Sequence, residues 1–157
     1  MTRDLIEQYA RGGERLRMAI RGLTQEDLLA APIPGKWSTL QVVIHLQDSD
    51  LIAADRMKRV IAEDNPTLIG FDENMFVANL AYDKQSAEDA VTILDLNRKQ
   101  FALVLRTLPN SAWTRVGTHN ERGVLTLGHL LQTYTNHLEH HLKFIHEKRK
   151  AMGKEVW

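Results

Sequence analysis

Apolar residues recur at intervals of three and four along four stretches of the chain, and each stretch ends on residues that stop helices. In the first, Leu5, Tyr9, Leu16 and Ile20 fall on one stripe, which predicts a helix over 3–21 ending at Gly22. The second opens with Ser38-Thr-Leu-Gln41, where the Ser hydroxyl and the Gln amide can each satisfy an orphan backbone donor. Val42, Val43, Leu46, Ile52, Ala53, Met57 and Val60 carry that helix over 38–63, and Asn65-Pro66 stops it. A third stripe of Val91, Leu94, Arg98, Phe101, Leu105 and Leu108 predicts a helix over 86–108 behind the cap residue Ser86. The fourth, Leu127, Leu130, Leu131, Tyr134, Leu138, Leu142 and Ile145, predicts one over 126–150, with Gly153 as its C-terminal cap. Ala30-Ala-Pro-Ile-Pro-Gly35 is a breaker. The long connection from Pro66 to Gln85 holds a helical turn around 72–81. No segment alternates as a strand would, so the pattern predicts an all-α four-helix bundle in a single domain, 1–157. Up-down and crossover topologies both remain open.

Composition changes this picture little. Hydrophobic residues are 43% and charged residues 25%, and 20 Lys+Arg balance 20 Asp+Glu. That balance gives no electrostatic footprint for nucleic acid. No run of about 18 apolar residues exists to span a membrane, and the N-terminal residues carry acids where a signal peptide carries an apolar core. The expectation is a cytoplasmic protein acting on a small-molecule substrate. There is no cysteine, which removes disulfides, thiolate ligands and thiol nucleophiles of the chain's own.

Seven histidines, four of them between His129 and His141, are the unusual feature. His137 and His141 are four apart, about 40° of rotation and roughly 6 Å of rise on a helix, so both imidazoles project from one face. Such a pair can converge on one metal, but a His-rich helix produces the spacing by chance and the two could equally sit on a polar edge. His45 changes the balance, because it lies among the aliphatic residues of the second helix, which a bundle sets beside another long helix. A third imidazole there completes a site of three neutral nitrogens, suited to Zn or Ni and leaving positions open for water or substrate. Affinity for the metal is then expected to fall as pH drops through about 6.5, the ordinary imidazole pKa.

Other residues are secondary candidates. Asp48 and Ser49 follow His45 by one turn and could orient an imidazole, and Asp48 or His140 could serve as an acid or base. Arg98 takes a stripe position where Leu is expected and could meet a substrate anion. His119, in the loop before the fourth helix, could line a pocket mouth. His129 is expected to pack at the helix end, and His146 to face solvent opposite His137.

Two strings carry a family resemblance. Pro34-Gly-Lys-Trp-Ser-Thr-Leu-Gln-Val-Val-Ile-His45-Leu-Gln-Asp-Ser49 resembles the first motif of the DinB-like superfamily, especially its YfiT-like branch. Trp113-Thr-Arg-Val-Gly-Thr-His-Asn-Glu-Arg-Gly123, followed by Tyr134-Thr-Asn-His137-Leu-Glu-His-His141-Leu, resembles the second, and Phe71-Asp-Glu-Asn is also similar. One position departs from the pattern: Asn120 stands where many YfiT-like members carry Pro. The resemblance implies a four-helix bundle, often a homodimer, with Zn or Ni on the histidines that fall at His45, His137 and His141. It also implies a metal-dependent hydrolase, or a transferase using a low-molecular-weight thiol of the bacillithiol or mycothiol type. A thiol cosubstrate would supply the thiol group this cysteine-free chain lacks. The third alternative is a non-catalytic, stress-associated metal-binding protein, and no Glu in a His-Glu-x-x-His arrangement marks a general base.

Overall fold

The computed structural model describes residues 3–154. Its helices are α1 (Arg3–Ala10), α2 (Gly12–Ile20), α3 (Gln25–Leu29), α4 (Thr39–Ala62), α5 (Glu73–Asn79), α6 (Ala87–Thr107) and α7 (Leu127–Ala151). The four long stripes are thus present, with ends close to those the pattern predicts. Ser38 caps α4 in the expected reciprocal way: Gln41 N donates to Ser38 Oγ at 3.1 Å, and Ser38 N donates to Gln41 Oε1 at 2.8 Å. This fixes where the helix starts, and therefore the phase at which His45 leaves it.

The first stripe forms two helices in line, with Arg11 in a turn between them. Gly12 and Gly13 sit at the break because α6 passes too close for side chains. A Cβ on Gly13 would lie 2.5 Å from Asp95 Cα, and one on Gly12 would lie 2.3 Å from the Arg98 guanidinium. α1 and α2 pack on α6 and α7, and so does α4. The first and second long helices of the chain are therefore diagonal to each other rather than adjacent, which is not the simple up-down order.

The structure also contains a small sheet that the sequence pattern did not predict. β1 (Thr67–Leu68) pairs in parallel with β2 (Val116–His119), which pairs antiparallel with β3 (Gly123–Thr126). These strands are two to four residues long, too short for alternation to stand out. They tie the α4–α5 connection to the segment entering α7, and α5, capped by Asp72, lies in the long connection as expected.

Two hydrophobic clusters fill the bundle, one around Leu40, Ile44, Leu94 and Leu142, the other around Tyr9, Met57, Phe101 and Leu131. A polar layer lies between them. Arg98 Nε donates to Asp50 Oδ1 at 2.7 Å, and its two other nitrogens donate to Tyr9 O at 3.3 Å and Tyr134 O at 3.1 Å. The other Asp50 oxygen accepts from Asn97 Nδ2 at 2.9 Å. Both members of the pair are 2% exposed.

Removing one partner strands a buried charge. Asp50→Asn is expected to destabilise the protein by about 3–5 kcal/mol in denaturant unfolding. Replacing Asp50 and Arg98 together by apolar residues of similar volume should cost much less than the two single changes summed. A loss in the double variant equal to the two single losses summed would show that the two side chains act through packing alone.

Candidate metal centre

His45 leaves α4 two turns after its cap and is 1% exposed, packed edge-on against Trp37 with ring centroids 5.1 Å apart. His137 and His141 come from α7, whose neighbour in the bundle is α4. The three rings meet: His45 Nε2 is 3.2 Å from His137 Nε2, and His141 Nε2 is 3.1 Å from His137 Nε2. One nitrogen from each ring lies within 4.8 Å of the others.

The donor set fits a divalent transition metal. Two nitrogens each about 2.0–2.1 Å from one ion stand roughly 2.9–3.4 Å apart for bond angles between octahedral and tetrahedral. The two close spacings fall inside that interval. Metal-ligating imidazoles usually donate their other N–H to a partner. Here Ser49 Oγ is 3.5 Å from His45 Nδ1, and His141 Nδ1 is buried without a partner, so ring packing holds these imidazoles more than hydrogen bonds do. His141 is wedged among His45, His137, His140 and Phe144.

Burial dominates the electrostatics. It lowers the His45 pKa to about 4. His137 falls to about 3 through burial first, then the neighbouring His45 and Arg98. His141 falls to about 3 through burial, then His137 and His45. All three imidazoles are therefore neutral at physiological pH, the state that ligates metal.

A cavity of about 110 Å³ opens beside the histidines, lined by His45, Ser49, Glu73, His119, Tyr134 and His137 together with Arg56 and Arg122. Glu73 Oε2, from the first turn of α5, is 3.9 Å from His45 Nε2. His119 ends β2 and is buried in the cavity wall. Its Nδ1 accepts from Glu121 N at 3.1 Å, so its neutral form carries the proton on Nε2. Arg56 donates to Tyr134 Oη at 2.6 Å and to the carbonyl of Ile69.

Several sequence expectations are corrected here. Arg98 is not among the cavity-lining residues; its guanidinium is buried and spent on Asp50, Tyr9 and Tyr134. Asp48 turns away from the histidines and accepts from Tyr82 Oη at 2.6 Å. His140 is exposed and outside the cavity lining, its ring against His141 and Phe144. His129 is exposed rather than packed, and His146 is half-buried rather than fully solvated. Glu73 and Arg122 were missed as site residues although both lie in the quoted motifs. Arg56 did leave a signal: eleven residues after His45, it returns to within about 20° of the same helix face.

A helical bundle with three histidines converging from two of its helices, and a polar cavity beside them, defines the class of protein. The model of the DinB superfamily matches residues 8–145, and the chain belongs to that superfamily. A relative from Oceanobacillus iheyensis, provisionally named a metal-dependent hydrolase, is 29% identical over 130 residues, 83% of this chain and 75% of the relative. YfiT of Bacillus subtilis, with the same provisional name, is 26% identical over 140 residues, 88% of this chain and 79% of its own. The solved structure of YfiT, described as having an unusual four-helix-bundle topology, aligns with a TM-score of 0.92 at 24% identity, covering 99% of this chain and 91% of that one.

The depressed pKa values set a pH window. In the unfolded chain these imidazoles bind protons near 6.5, so between about pH 6.5 and pH 3 the unfolded state holds more protons than the folded one. Stability of the metal-free protein should be flat above pH 7 and fall as pH drops through that window. A His137→Gln variant should show a shallower fall, read from urea midpoints between pH 7 and 4. For the same reason acid release of metal is expected well below 6.5, at lower pH than free imidazoles imply. Identical pH slopes in the two proteins would mean that His137 is not held neutral by the fold.

Proposed function

We propose that this chain is a metal-dependent hydrolase whose divalent ion is held by His45, His137 and His141. The convergence of the three Nε2 atoms beside an accessible cavity carries this reading. Neutral imidazoles without thiolates favour Zn or Ni. A bound ion of this kind supplies Lewis acidity and lowers the pKa of water that reaches it. Glu73, with its carboxylate 3.9 Å from a ligand nitrogen, is placed to take the proton that water loses, hold it at Oε2 and pass it to a leaving group. His119 is a hydrogen-bond donor in the cavity wall for a substrate oxygen.

The carboxylate is what favours water over a thiol as nucleophile. A thiol cosubstrate reaching the metal as thiolate needs no base beside the site. Among the described residues no helix is long and apolar enough to cross a membrane. We also carry a homodimer in this reading, supported by the exposed Ile93, Leu96, Leu103 and Val104, which fall within about 100° on the outer face of α6. Light scattering should show twice the 18.0 kDa chain mass, and Leu96→Glu with Leu103→Glu should halve it; an unchanged mass would place any dimer elsewhere.

The experiment for the activity is a comparison of water and thiol on the metal-loaded protein with activated esters and other electrophiles. Turnover without added thiol is expected, lost on chelation, and reduced about 10²-fold or more in Glu73→Gln with metal content unchanged. His141→Ala should lose most of its metal while His146→Ala keeps it, by metal analysis of identically purified protein. Conjugation of a soluble thiol with no hydrolysis would select the transferase instead. Equal metal content in the two histidine variants would remove the site.

A further inference from the structure

Two of the buried arginines, Arg98 and Arg56, stand in opposite electrostatic circumstances. Arg98 is 2% exposed and meets Asp50 at 2.7 Å. Arg56 is 7% exposed and, among the described residues, has no carboxylate within 4.0 Å; its hydrogen bonds go to the neutral Tyr134 hydroxyl and Ile69 carbonyl, and its Nε is buried with no partner there. A buried cation without a counter-ion is costly unless something else supplies the charge and the missing acceptor. Arg56 lines the histidine cavity. Arg122 lines it too, from the turn between β2 and β3, and makes no hydrogen bond or ion pair among the described residues.

We infer that the cavity is an oxyanion site, in which Arg56 and Arg122 receive a carboxylate or phosphate group of the substrate beside the three histidines. Guanidinium groups match the planar, multi-acceptor geometry of such groups, and both of these arginines line the cavity. Two glutamates, Glu73 and Glu121, also line the cavity, but neither lies within 4.0 Å of either guanidinium. They balance the arginines in formal charge, and an ion on three neutral imidazoles would leave the site positive. The cavity is also small. Its roughly 110 Å³ is well under the about 300–1,000 Å³ of pockets that enclose a drug-sized ligand. It takes the charged, reacting end of a small molecule and leaves the remainder outside.

The inference extends the hydrolase reading by naming the substrate class, yet it rests on the arginines and can be read without metal or turnover. The test is calorimetric titration of inorganic phosphate and, separately, acetate into metal-free and metal-loaded protein. Wild type and Arg122→Gln are compared, because Arg122 is exposed and its loss should leave the fold intact, with Arg106→Gln as a distant control. Metal-free wild type is expected to bind at least one of the two anions, tenfold or more tighter than Arg122→Gln, with Arg122→Lys recovering part of the loss. The anion should also raise the thermal midpoint of wild type more than that of Arg122→Gln. The tighter of phosphate and acetate identifies the substrate's charged group. Binding seen only with metal loaded, and equal in wild type and Arg122→Gln, would overturn the inference, since the anion would then be a metal ligand alone. Absence of binding of either anion up to about 10 mM, where the affinity would contribute under about 3 kcal/mol, would also overturn it. Loss of the hydrolase reading with arginine-dependent anion binding intact would leave it standing.

Discussion

The buried Arg98–Asp50 pair is the constraint on which the rest of this structure depends. Arg98 comes from α6, Asp50 from α4, and the carbonyls that complete the guanidinium's bonding belong to Tyr9 of α1 and Tyr134 of α7. One side chain therefore touches all four long elements at one level of the bundle. Hydrophobic clusters above and below it supply most of the burial, but apolar contacts are non-directional and would tolerate a helix sliding by a turn. A guanidinium with fixed donor directions would not. The consequence reaches the metal centre directly, because Asp50 is five residues from His45 and Tyr134 is three from His137. Fixing α4 against α7 at the polar layer fixes where the imidazoles meet.

The same contrast of paired and unpaired charge separates structure from chemistry. Asp50 and Arg98 satisfy each other and leave nothing for a ligand. At the metal centre, by contrast, the histidines are kept neutral by burial, and beside it Arg56 Nε, like His141 Nδ1, has no partner among the described residues. Stable proteins leave few buried polar groups unsatisfied; Arg56 Nε and His141 Nδ1 are two such atoms, while Tyr9, Thr39 and Asp95 supply others elsewhere in the bundle.

Much of this was legible in the sequence. The stripes located the four long helices, Ser38 and Ser86 marked their starts, and the pairing of His137 with His141 followed from helical spacing. What could not be read was anything that depends on which helices become neighbours. Arg98 looked like a substrate contact because a charge on an apolar stripe is conspicuous, and only the packing of α4 against α6 reveals Asp50 as its partner. Asp48 sat one turn from His45, but at about −60° rather than the +40° of Ser49, enough to send it toward Tyr82 instead of the histidines. The sheet escaped because hairpins this short are held by their surroundings. Gly117, for example, is required where a Cβ would meet Val60 and Leu68.

The division of labour between helices and connections explains how such a bundle could serve more than one chemistry. The three imidazoles project from α4 and α7, where capping and core packing leave little freedom. Glu73, His119 and Arg122 come from α5 and the β2–β3 hairpin, outside the bundle proper. These two pieces are tied to each other: Gly70 N donates to Asn120 Oδ1 at 2.8 Å, and Asn120 N donates to Leu68 O at 3.1 Å. A proline at 120, common in the YfiT-like pattern, has neither the amide nor the side-chain acceptor, so it would remove both bonds. The departure at Asn120 thus falls on the link that sets Glu73 and Arg122 relative to each other, not on the histidines. The three imidazoles thus sit on helices, and Glu73, His119 and Arg122 on a coupled pair of connections, so on the proposed reading substitutions can alter the second set while the first stays intact.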